Sequence, residues 1–351
     1  MAARHLLLAS IALAALLGCG PNAAEAEGEP TIGRADLPSY QDVLVISIDG
    51  LRSDALLAVP EEKIPHFRRL MTGAHTLNAR TDPDFTVTMP NHTGMVTSRT
   101  VKGPGGHGWT SNAPEEGDHI EEHLGAEVNN AFRVANEAGF GSAMFATKKK
   151  FRLLPWTWND DKEDRAIQTV VLEHKETEPV LAALHEHLIA RKDEQDFIFV
   201  HIHDMDTRGH KDGWNLTKDS PYFETMFDVD AKLGELLAVI DGDETLSAST
   251  AIVLTADHGG GVPYLNHHGQ GLQWVNYVIP FIVWTSDGKA SGDLYELNPV
   301  TRVDPSLTMP AFDAWPPPVR NLDAGNLALG LLGLEPIVGS NVNAGQELAI
   351  R

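Results

Sequence analysis

Acidic and histidine side chains follow three apolar segments of this chain. These sets are Asp49 after residues 43–48, Asp204, Asp206 and His210 after residues 197–202, and Asp257 and His258 after residues 251–255. An isolated aspartate after a strand is usually a turn former, and an isolated histidine usually has a structural role. Three such sets in one chain instead favour a metal site. A mixture of carboxylate and imidazole ligands suits Zn²⁺, whereas an all-oxygen set would favour Ca²⁺ or Mg²⁺.

These groups are numerous enough for two metal ions. The six candidate ligands are Asp49, Asp206, His210, Asp257, His258 and one of the adjacent pair His267 and His268. Six ligands allow two ions with three protein ligands each and one open position on each ion. Two ions about 4 Å apart can stabilise both the attacking and the leaving oxygen of an in-line displacement at phosphorus.

A hydroxyl that could act as the nucleophile lies in residues 86–94, Thr-Val-Thr-Met-Pro-Asn-His-Thr-Gly. Pro90 suits the first turn of a helix, so the segment predicts a helix start with Thr88 at or beside the N-cap. The free backbone N–H groups of such a turn can bind an anion. Most Thr-x-Pro segments are ordinary caps, and this segment alone leaves both roles open for Thr88.

The elements that must position these residues alternate along the chain. Apolar runs predict buried strands at residues 43–48, 141–146, 197–202, 251–255 and 279–284. Periodic stretches predict helices at residues 65–71, 127–138, 178–192 and 222–240, and a glycine-weakened one at residues 322–333. Alternating strands and helices predict an α/β fold with a mainly parallel sheet. Because the carboxyl ends of parallel strands face the ligand crevice, the acidic and histidine sets should converge on one sheet edge.

The first residues have the layout of an export signal. Arg4 precedes the apolar residues 6–17, which are too few for a comfortable membrane span, and Gly18-Cys19 follows. We expect residues 1–19 to be a lipoprotein signal peptide with Cys19 as the lipidated residue, and residues 20–39 to be a flexible tether. A plain signal peptide is the alternative. The expected location is the periplasmic face of a bacterial cell envelope.

The remainder, residues 40–351, is expected to form a single catalytic domain with an irregular excursion at about residues 101–122. The full chain has 27 Lys and Arg against 49 Asp and Glu, a formal net charge of −22. This charge argues against nucleic-acid binding by bulk electrostatics, although it does not exclude a local cationic site. Cys19 is the only cysteine, so the chain has no internal disulfide. The sequence leaves the oligomeric state open.

Five motifs, in this order, resemble the alkaline phosphatase superfamily, most closely its type I phosphodiesterase/nucleotide pyrophosphatase branch. They are Ile48-Asp49-Gly50, Thr88-Met-Pro-Asn91-His92, Asp206-Thr-Arg-Gly-His210, Thr255-Ala-Asp257-His258-Gly-Gly and His268-Gly269. The resemblance implies a three-layer α/β/α sandwich with a central, mainly parallel sheet. It also implies two Zn²⁺ ions and a small-molecule phosphate ester as substrate.

The resemblance further implies a role for each matched residue. Asp49, Asp257 and His258 would hold the zinc that activates the Thr88 hydroxyl. Asp206, His210 and His268 would hold the second zinc, which positions the substrate and later a water. His268 is preferred to His267 because it forms the His-Gly pair. Thr88 would form a phosphothreonine intermediate, and Asn91, with a backbone N–H near Met89, would donate to the phosphoryl oxygens.

Within the superfamily, the resemblance favours a phosphodiesterase. Sulfatases carry a Cys or Ser nucleophile and an oxygen-rich Ca²⁺ site, which this chain lacks. Monoesterases place an Arg beside the nucleophile, whereas the neutral amide of Asn91 suits a singly charged diester. A monoesterase or a phosphonate hydrolase is the alternative, and a sulfatase or a non-catalytic binding lipoprotein is disfavoured. Residues 148–150, three lysines, are either a solvated run or a contact for a substrate's negative end.

Overall fold

The centre of the domain is an eight-stranded sheet. A computed structural model describes residues 33–159, 165–269 and 273–351. The strands are β1 (Asp42–Ile48), β2 (Ala74–Arg80), β3 (Gly141–Ala146), β4 (Thr169–Leu172), β5 (Asp196–Ile202), β6 (Thr250–Thr255), β7 (Val278–Thr285) and β8 (Gly292–Asp293). Their order across the sheet is β4-β3-β5-β1-β6-β7-β2-β8.

The sheet is mainly parallel, as predicted. The five strands from β4 to β6 pair in parallel, and β7 runs antiparallel to both of its neighbours, β6 and β2. β1 lies near the middle and is buried along its whole length. Its near-continuous apolar sequence follows from this position, because helices cover both faces of such a sheet.

Helices on the two faces complete the predicted three-layer α/β/α sandwich. They are α1 (Ser53–Ala58), α2 (Pro65–Leu70), α3 (Thr88–Thr97), α4 (Ile120–Leu124), α5 (Ala131–Glu137), α6 (Leu153–Trp158), α7 (Thr177–Arg191), α8 (Asp204–Asp212), α9 (Pro221–Asp241), α10 (Glu244–Ser249), α11 (Trp274–Tyr277), α12 (Leu294–Leu297) and α13 (Ala324–Leu331). Helices α3, α5 and α13 pack together in one group, and α2, α7 and α9 form another.

Sequence periodicity found the buried elements and missed the less apolar ones. All five predicted strands form, whereas β2, β4 and β8 were not predicted, because β2 and β4 are only partly buried and β8 has two residues. The helix predicted from residue 127 begins at Ala131, since the Asn130 side chain caps it by accepting a hydrogen bond from the backbone N–H of Arg133. The 322–333 segment divides into a 3₁₀ turn, Asn321–Asp323, and α13.

The predicted excursion at residues 101–122 is largely irregular, whereas the end of the predicted tether at residues 20–39 contacts the domain. Residues 101–119 contain no strand or helix, and α4 begins at Ile120, inside the predicted excursion. The end of the predicted tether is not free of the domain. The Arg34 guanidinium lies 2.9 Å from the Glu335 carboxylate, and the backbone N–H of Ala35 donates to the carbonyl of Gln346.

The predicted signal segment and its lipidation residue Cys19 lie outside the described residues and stay predictions. Among the helices of the described ranges, none combines the length and apolarity needed to cross a membrane.

One carboxyl group at the amino ends of the central strands is buried without a partner. Asp42 of β1 stands in register with Asp196 of β5, and both are buried. Asp196 is ion-paired with Arg191, whereas neither carboxylate oxygen of Asp42 has a hydrogen-bond partner. Burial and the neighbouring charge of Asp196 raise the pKa of Asp42 to about 8. Ionising Asp42 therefore costs folding free energy.

We expect Asp42→Asn to remove a pH-dependent loss of stability. Because the pKa of Asp42 is higher in the folded chain than in the unfolded chain, the folded state binds the extra proton between about pH 4 and pH 8. Wild-type stability then falls by up to about 1.4 kcal/mol per pH unit in this window relative to the variant. Thermal unfolding of both proteins from pH 5 to pH 9 measures this difference. Parallel pH profiles would contradict the assignment.

Candidate active site

The predicted acidic and histidine residues converge at the carboxyl ends of three neighbouring strands. Asp49 follows β1, Asp257 follows β6, and Asp206 lies in the first turn of α8, which begins two residues after β5. The turn at Gly50 makes this convergence possible, because its φ of +74° suits glycine and a Cβ there would lie 2.9 Å from the Cα of Asp206. The strand order β5-β1-β6 thus brings the three acids to one edge of the sheet.

The first group of side chains is Asp49, Asp257 and His258, all fully buried. The Nε2 atom of His258 lies 3.6 Å from Asp49 Oδ1 and 3.2 Å from Asp257 Oδ2. Asp257 is held through its other oxygen, which accepts hydrogen bonds from the backbone N–H groups of Gly50 and His258. One oxygen of Asp257 therefore has a structural role and the other faces the group.

The second group is Asp206, His210 and His268. The Nε2 atoms of His210 and His268 lie 3.3 and 3.5 Å from Asp206 Oδ1 and 3.0 Å from each other. The residues come from α8 and from the loop after β6, and Asp206 and His210 share one face of α8 because they are four positions apart. His258 adjoins this group too, since its ring stacks on His268 at 3.7 Å and its ligand atom clusters with those of Asp206 and His268.

The protonation of the three imidazoles is fixed by the backbone. Each Nδ1 faces a carbonyl oxygen: His258 that of Gly259 at 2.7 Å, His210 that of Asn266 at 3.1 Å, and His268 that of Thr86 at 2.8 Å. A carbonyl can only accept, so each Nδ1 carries the proton and each Nε2 presents its lone pair to the group. Anchoring one ring nitrogen in this way is the usual arrangement of a metal-binding histidine.

Several atoms of the two groups could also bind a cation because they have no other partner. Four of them are buried and have no hydrogen-bond partner: Asp49 Oδ1, Asp206 Oδ1, Asp257 Oδ2 and His258 Nε2. Leaving such atoms unpaired is costly, unless an ion completes the site. Ligand atoms about 2.1 Å from a tetrahedral ion stand roughly 3.3 Å apart, which agrees with the separations in both groups. The residues present therefore fit metal ions.

The structure distinguishes the two adjacent histidines. His268 points into the second group, whereas the His267 ring lies against Tyr264 and its Nδ1 contacts Asn266 Oδ1 at 2.7 Å. The preference for His268 as a ligand agrees with this geometry.

Burial and charge shift the pKa values at the site in opposite directions. Burial, reinforced by the negative charge of Asp49, raises the pKa of Asp257 well above its usual value. Burial lowers the pKa of His258, and it lowers that of His268 to about 3. His210 is more exposed, and the adjacent carboxylate of Asp206 raises its pKa. Two of the three imidazoles are thus held neutral by burial, as a metal ligand must be.

Two further residues, Lys148 and His201, contact the acids, a role that the sequence did not predict for either of them. The Nζ atom of Lys148 lies 2.6 Å from Asp49 Oδ2 and 2.5 Å from Asp206 Oδ2, so one ammonium joins the two groups. His201 Nε2 contacts the same Asp49 oxygen at 2.9 Å. Burial alone would raise the pKa of Asp49, but Lys148 and His201 outweigh it and lower the pKa well below its usual value. His201 lies within the apolar β5, where nothing in the sequence distinguishes it from a packed core residue.

Thr88 is the first residue of α3 and is almost fully buried. The turn that carries it is tied to both groups. The carbonyl of Thr86 accepts from His268, and the carbonyl of Thr88 accepts from His92 Nδ1 at 2.7 Å. His92 is a fully buried residue of α3 that packs against Phe199 of β5, and its Nδ1 lies 3.7 Å from Asp257 Oδ2. No described residue accepts a hydrogen bond from the Thr88 hydroxyl.

The role predicted for Asn91 is corrected by its contacts. Both hydrogens of its amide are used inside the protein, donating to the carbonyls of Phe85 at 2.6 Å and Val87 at 3.1 Å. Its Oδ1 accepts from the Thr81 hydroxyl, the backbone N–H of Asp82 and the amide of Asn321. A side chain early in a helix points back towards the preceding turn. Asn91 therefore shapes the loop before Thr88 and has no donor left for a phosphoryl oxygen.

A different amide, Asn112, lies against the start of α3. Its Oδ1 accepts from the backbone N–H of Met89 at 3.0 Å and from Lys150 Nζ at 3.0 Å. No described residue accepts from its Nδ2, so this donor is available next to Thr88. The N–H of Met89 that was predicted to meet the substrate is instead used by Asn112. Asn112 lies in the irregular excursion, where the sequence has no periodicity that could have indicated it.

Comparison with known proteins agrees with these features. The profile of the type I phosphodiesterase/nucleotide pyrophosphatase family matches residues 43–263. The chain belongs to this family. Ectonucleotide pyrophosphatase/phosphodiesterase family member 5 of Homo sapiens is 26% identical over 239 residues, which cover 63% of this chain and 45% of the relative. This phosphodiesterase-family chain therefore spans about half the length of that relative.

Solved structures of low identity share the fold of this phosphodiesterase-family chain. The lipoteichoic acid synthase LtaP of Listeria monocytogenes has a TM-score of 0.60 at 14% identity, covering 88% of this chain and 76% of that chain. The C-terminal periplasmic domain of EcEptC from Escherichia coli has a TM-score of 0.52 at 13% identity, covering 89% of this chain and 86% of that chain. At this identity the likeness supports the fold alone.

We expect Asn91→Ala to lower stability much more than Asn112→Ala. The first substitution leaves several buried partners of the amide unsatisfied, at a cost of about 2–4 kcal/mol. The second removes a partly exposed side chain and should cost less than about 1 kcal/mol. Thermal and denaturant unfolding of the two variants measure the difference. Equal losses, or a larger loss for Asn112→Ala, would contradict the structural role of Asn91.

Proposed function

We propose that this chain is a metal-dependent hydrolase of phosphoric esters. The observation that carries the proposal is the fixed orientation of three imidazoles. Their Nε2 lone pairs face three buried carboxylates, and one of these rings, His268, is hydrogen-bonded to the turn that leads into Thr88. Family membership supports a small-molecule phosphodiester or nucleotide pyrophosphate as the substrate class. The sequence analysis favoured a diester because it placed the neutral amide of Asn91 beside the nucleophile. The contacts of Asn91 remove that argument.

Two zinc ions are the proposed cofactors. Asp49, Asp257 and His258 would hold one ion, and Asp206, His210 and His268 the other. When bound, the ions would supply positive charge that lowers the pKa of an attacking hydroxyl and stabilises oxygens that gain charge during displacement. The mixture of nitrogen and oxygen donors supports zinc rather than Ca²⁺ or Mg²⁺.

Thr88 is the proposed nucleophile. Its hydroxyl oxygen would form a bond to phosphorus while the bond from phosphorus to the leaving-group oxygen breaks, giving a phosphothreonine. The hydroxyl proton would leave with the leaving group. Attack of water on that phosphorus would then break its bond to the Thr88 oxygen and return a proton to that oxygen, releasing phosphate from a monoester or a phosphate monoester from a diester. Two hydrogen bonds support this role: the carbonyl of Thr86 accepts from the proposed ligand His268, and the carbonyl of Thr88 accepts from the packing residue His92. The Nδ2 group of Asn112 is placed to donate to a phosphoryl oxygen as negative charge develops there.

The metal sites can be tested by metal content, independently of turnover. We expect about two zinc ions per chain after dialysis against dilute zinc. Asp257→Asn should reduce this to about one, since Asp257 belongs to only one group. His267→Ala is the matched control and should keep both ions, because its ring lies outside the groups. Elemental analysis gives the stoichiometry, and two ions retained in Asp257→Asn would contradict the ligand assignment.

Rates on four chromogenic esters with the same leaving group test the activity. Zinc-loaded protein should hydrolyse a phosphomonoester or phosphodiester faster than a sulfate or phosphonate ester. Thr88→Ala should lose at least about 1,000-fold in kcat/KM and Asn112→Ala about 100- to 1,000-fold, both with normal zinc content. Thr88→Ser retains a hydroxyl and should keep measurable turnover. Full turnover in Thr88→Ala, or a marked preference for the sulfate ester, would overturn the proposal.

A further inference from the structure

Two of the three consecutive lysines after β3 are fixed at the candidate active site. They lie at the start of a 3₁₀ turn, Lys149–Arg152, that is anchored by Phe151. The ring of Phe151 is fully buried, with its centroid 4.2 Å from that of His201. Because this anchor fixes the turn, Lys148 reaches inward to the acids and Lys150 reaches Asn112. The lysine run is therefore more than a solvated surface segment.

The two fixed lysines differ in the charge of their partners. Lys148 lies between two carboxylates, which compensate its charge. Lys150 is half-buried. Within the described residues its ammonium has one hydrogen bond, to the neutral Oδ1 atom of Asn112, and no carboxylate pairs with it. A partly desolvated ammonium without a counter-ion retains its attraction for an anion. Lys150 is thus a cation held beside the donor that adjoins Thr88.

This cation is accessible to a ligand. A surface cavity of about 660 Å³ reaches both Lys150 and Asn112, and Trp156 forms part of its wall. Through Asn112, the ammonium of Lys150 lies near the start of α3. From there it could contact a phosphoryl oxygen that points away from the carboxylates. A lysine ammonium binds phosphate as a point charge and needs no fixed bidentate geometry.

The charge of the phosphoryl group distinguishes the substrate classes. A phosphate monoester carries about −1.5 to −2 charge near pH 7 and has three oxygens without a substituent. A diester carries a single negative charge, and a second ester group replaces one of those oxygens. A cation beside Asn112 therefore attracts the phosphoryl group of a monoester more strongly. In a diester, an uncharged ester group takes the place of the third charged oxygen.

We propose that Lys150 selects phosphate monoesters over diesters by binding the third phosphoryl oxygen. This inference rests on the proposed function and departs from the diester preference expected from the sequence. It assigns substrate selection to a residue outside both groups of metal ligands.

The test compares two substrates with one leaving group, p-nitrophenyl phosphate and methyl p-nitrophenyl phosphate, on zinc-loaded protein. The wild type should favour the monoester in kcat/KM. Lys150→Met should lower kcat/KM for the monoester by about 10- to 100-fold, the range expected for a lost hydrogen bond to a charged group. The diester should change by less than about threefold. Lys150→Arg keeps the charge and should restore most of the monoester preference.

Lys149→Met is the matched control, because Lys149 is exposed and lines the same cavity, whereas only Lys150 is hydrogen-bonded to Asn112. We expect it to change both rates alike, by less than about twofold. Zinc content and thermal unfolding of each variant confirm that the site is intact. A wild type that favours the diester, or a ratio unchanged in Lys150→Met, would overturn this inference alone. A wild type that hydrolyses neither ester would instead overturn the proposed function on which it rests.

Discussion

The site depends on the way in which three imidazole rings are held by the backbone. His210, His258 and His268 each donate from Nδ1 to a carbonyl oxygen, which leaves Nε2 unprotonated and aimed at the acids. The three carboxylates, in turn, keep one oxygen bound to protein donors and one oxygen without a partner. Leaving these atoms unpaired costs folding free energy, and a bound cation would compensate that cost. A cation therefore accounts for the large number of buried polar groups at one edge of the sheet.

The sheet order is what makes the arrangement possible. β1 lies between β5 and β6, so the turns that follow these three strands are neighbours although they are far apart in sequence. The close approach at Gly50 lets the turn after β1 pack against α8, which carries Asp206. Helix α3 begins at Thr88, and the carbonyl of Thr86 just before it accepts a hydrogen bond from His268.

Charge around the phosphoryl position comes from a segment that supplies none of the proposed metal ligands. Lys148 neutralises part of the charge of Asp49 and Asp206, and Lys150 holds a second ammonium against Asn112. The sequence motif predicted a phosphodiester as substrate because it placed the neutral amide of Asn91 at the phosphoryl group. In the structure Asn91 faces the interior, whereas Asn112 lies next to Thr88. The amide with a free donor next to Thr88, the proposed nucleophile, is that of Asn112, and it is hydrogen-bonded to the ammonium of Lys150.

The sequence by itself determined the buried strands, the candidate metal ligands, Thr88 and the family resemblance. These features are local: apolar runs mark strands buried on both faces, and the acids and histidines follow those strands directly. β2 was missed because polar residues interrupt its apolar pattern, and β4 because it has only four residues.

Tertiary structure alone decided which way each polar side chain points. Asn91 and Asn112 are chemically the same, and only the packing of α3 against the loop after Thr81 directs one amide into the protein. The same holds for His267 and His268, for His201 within β5, and for the lysines after β3. Their roles depend on contacts between residues far apart in the chain, which local spacing cannot encode.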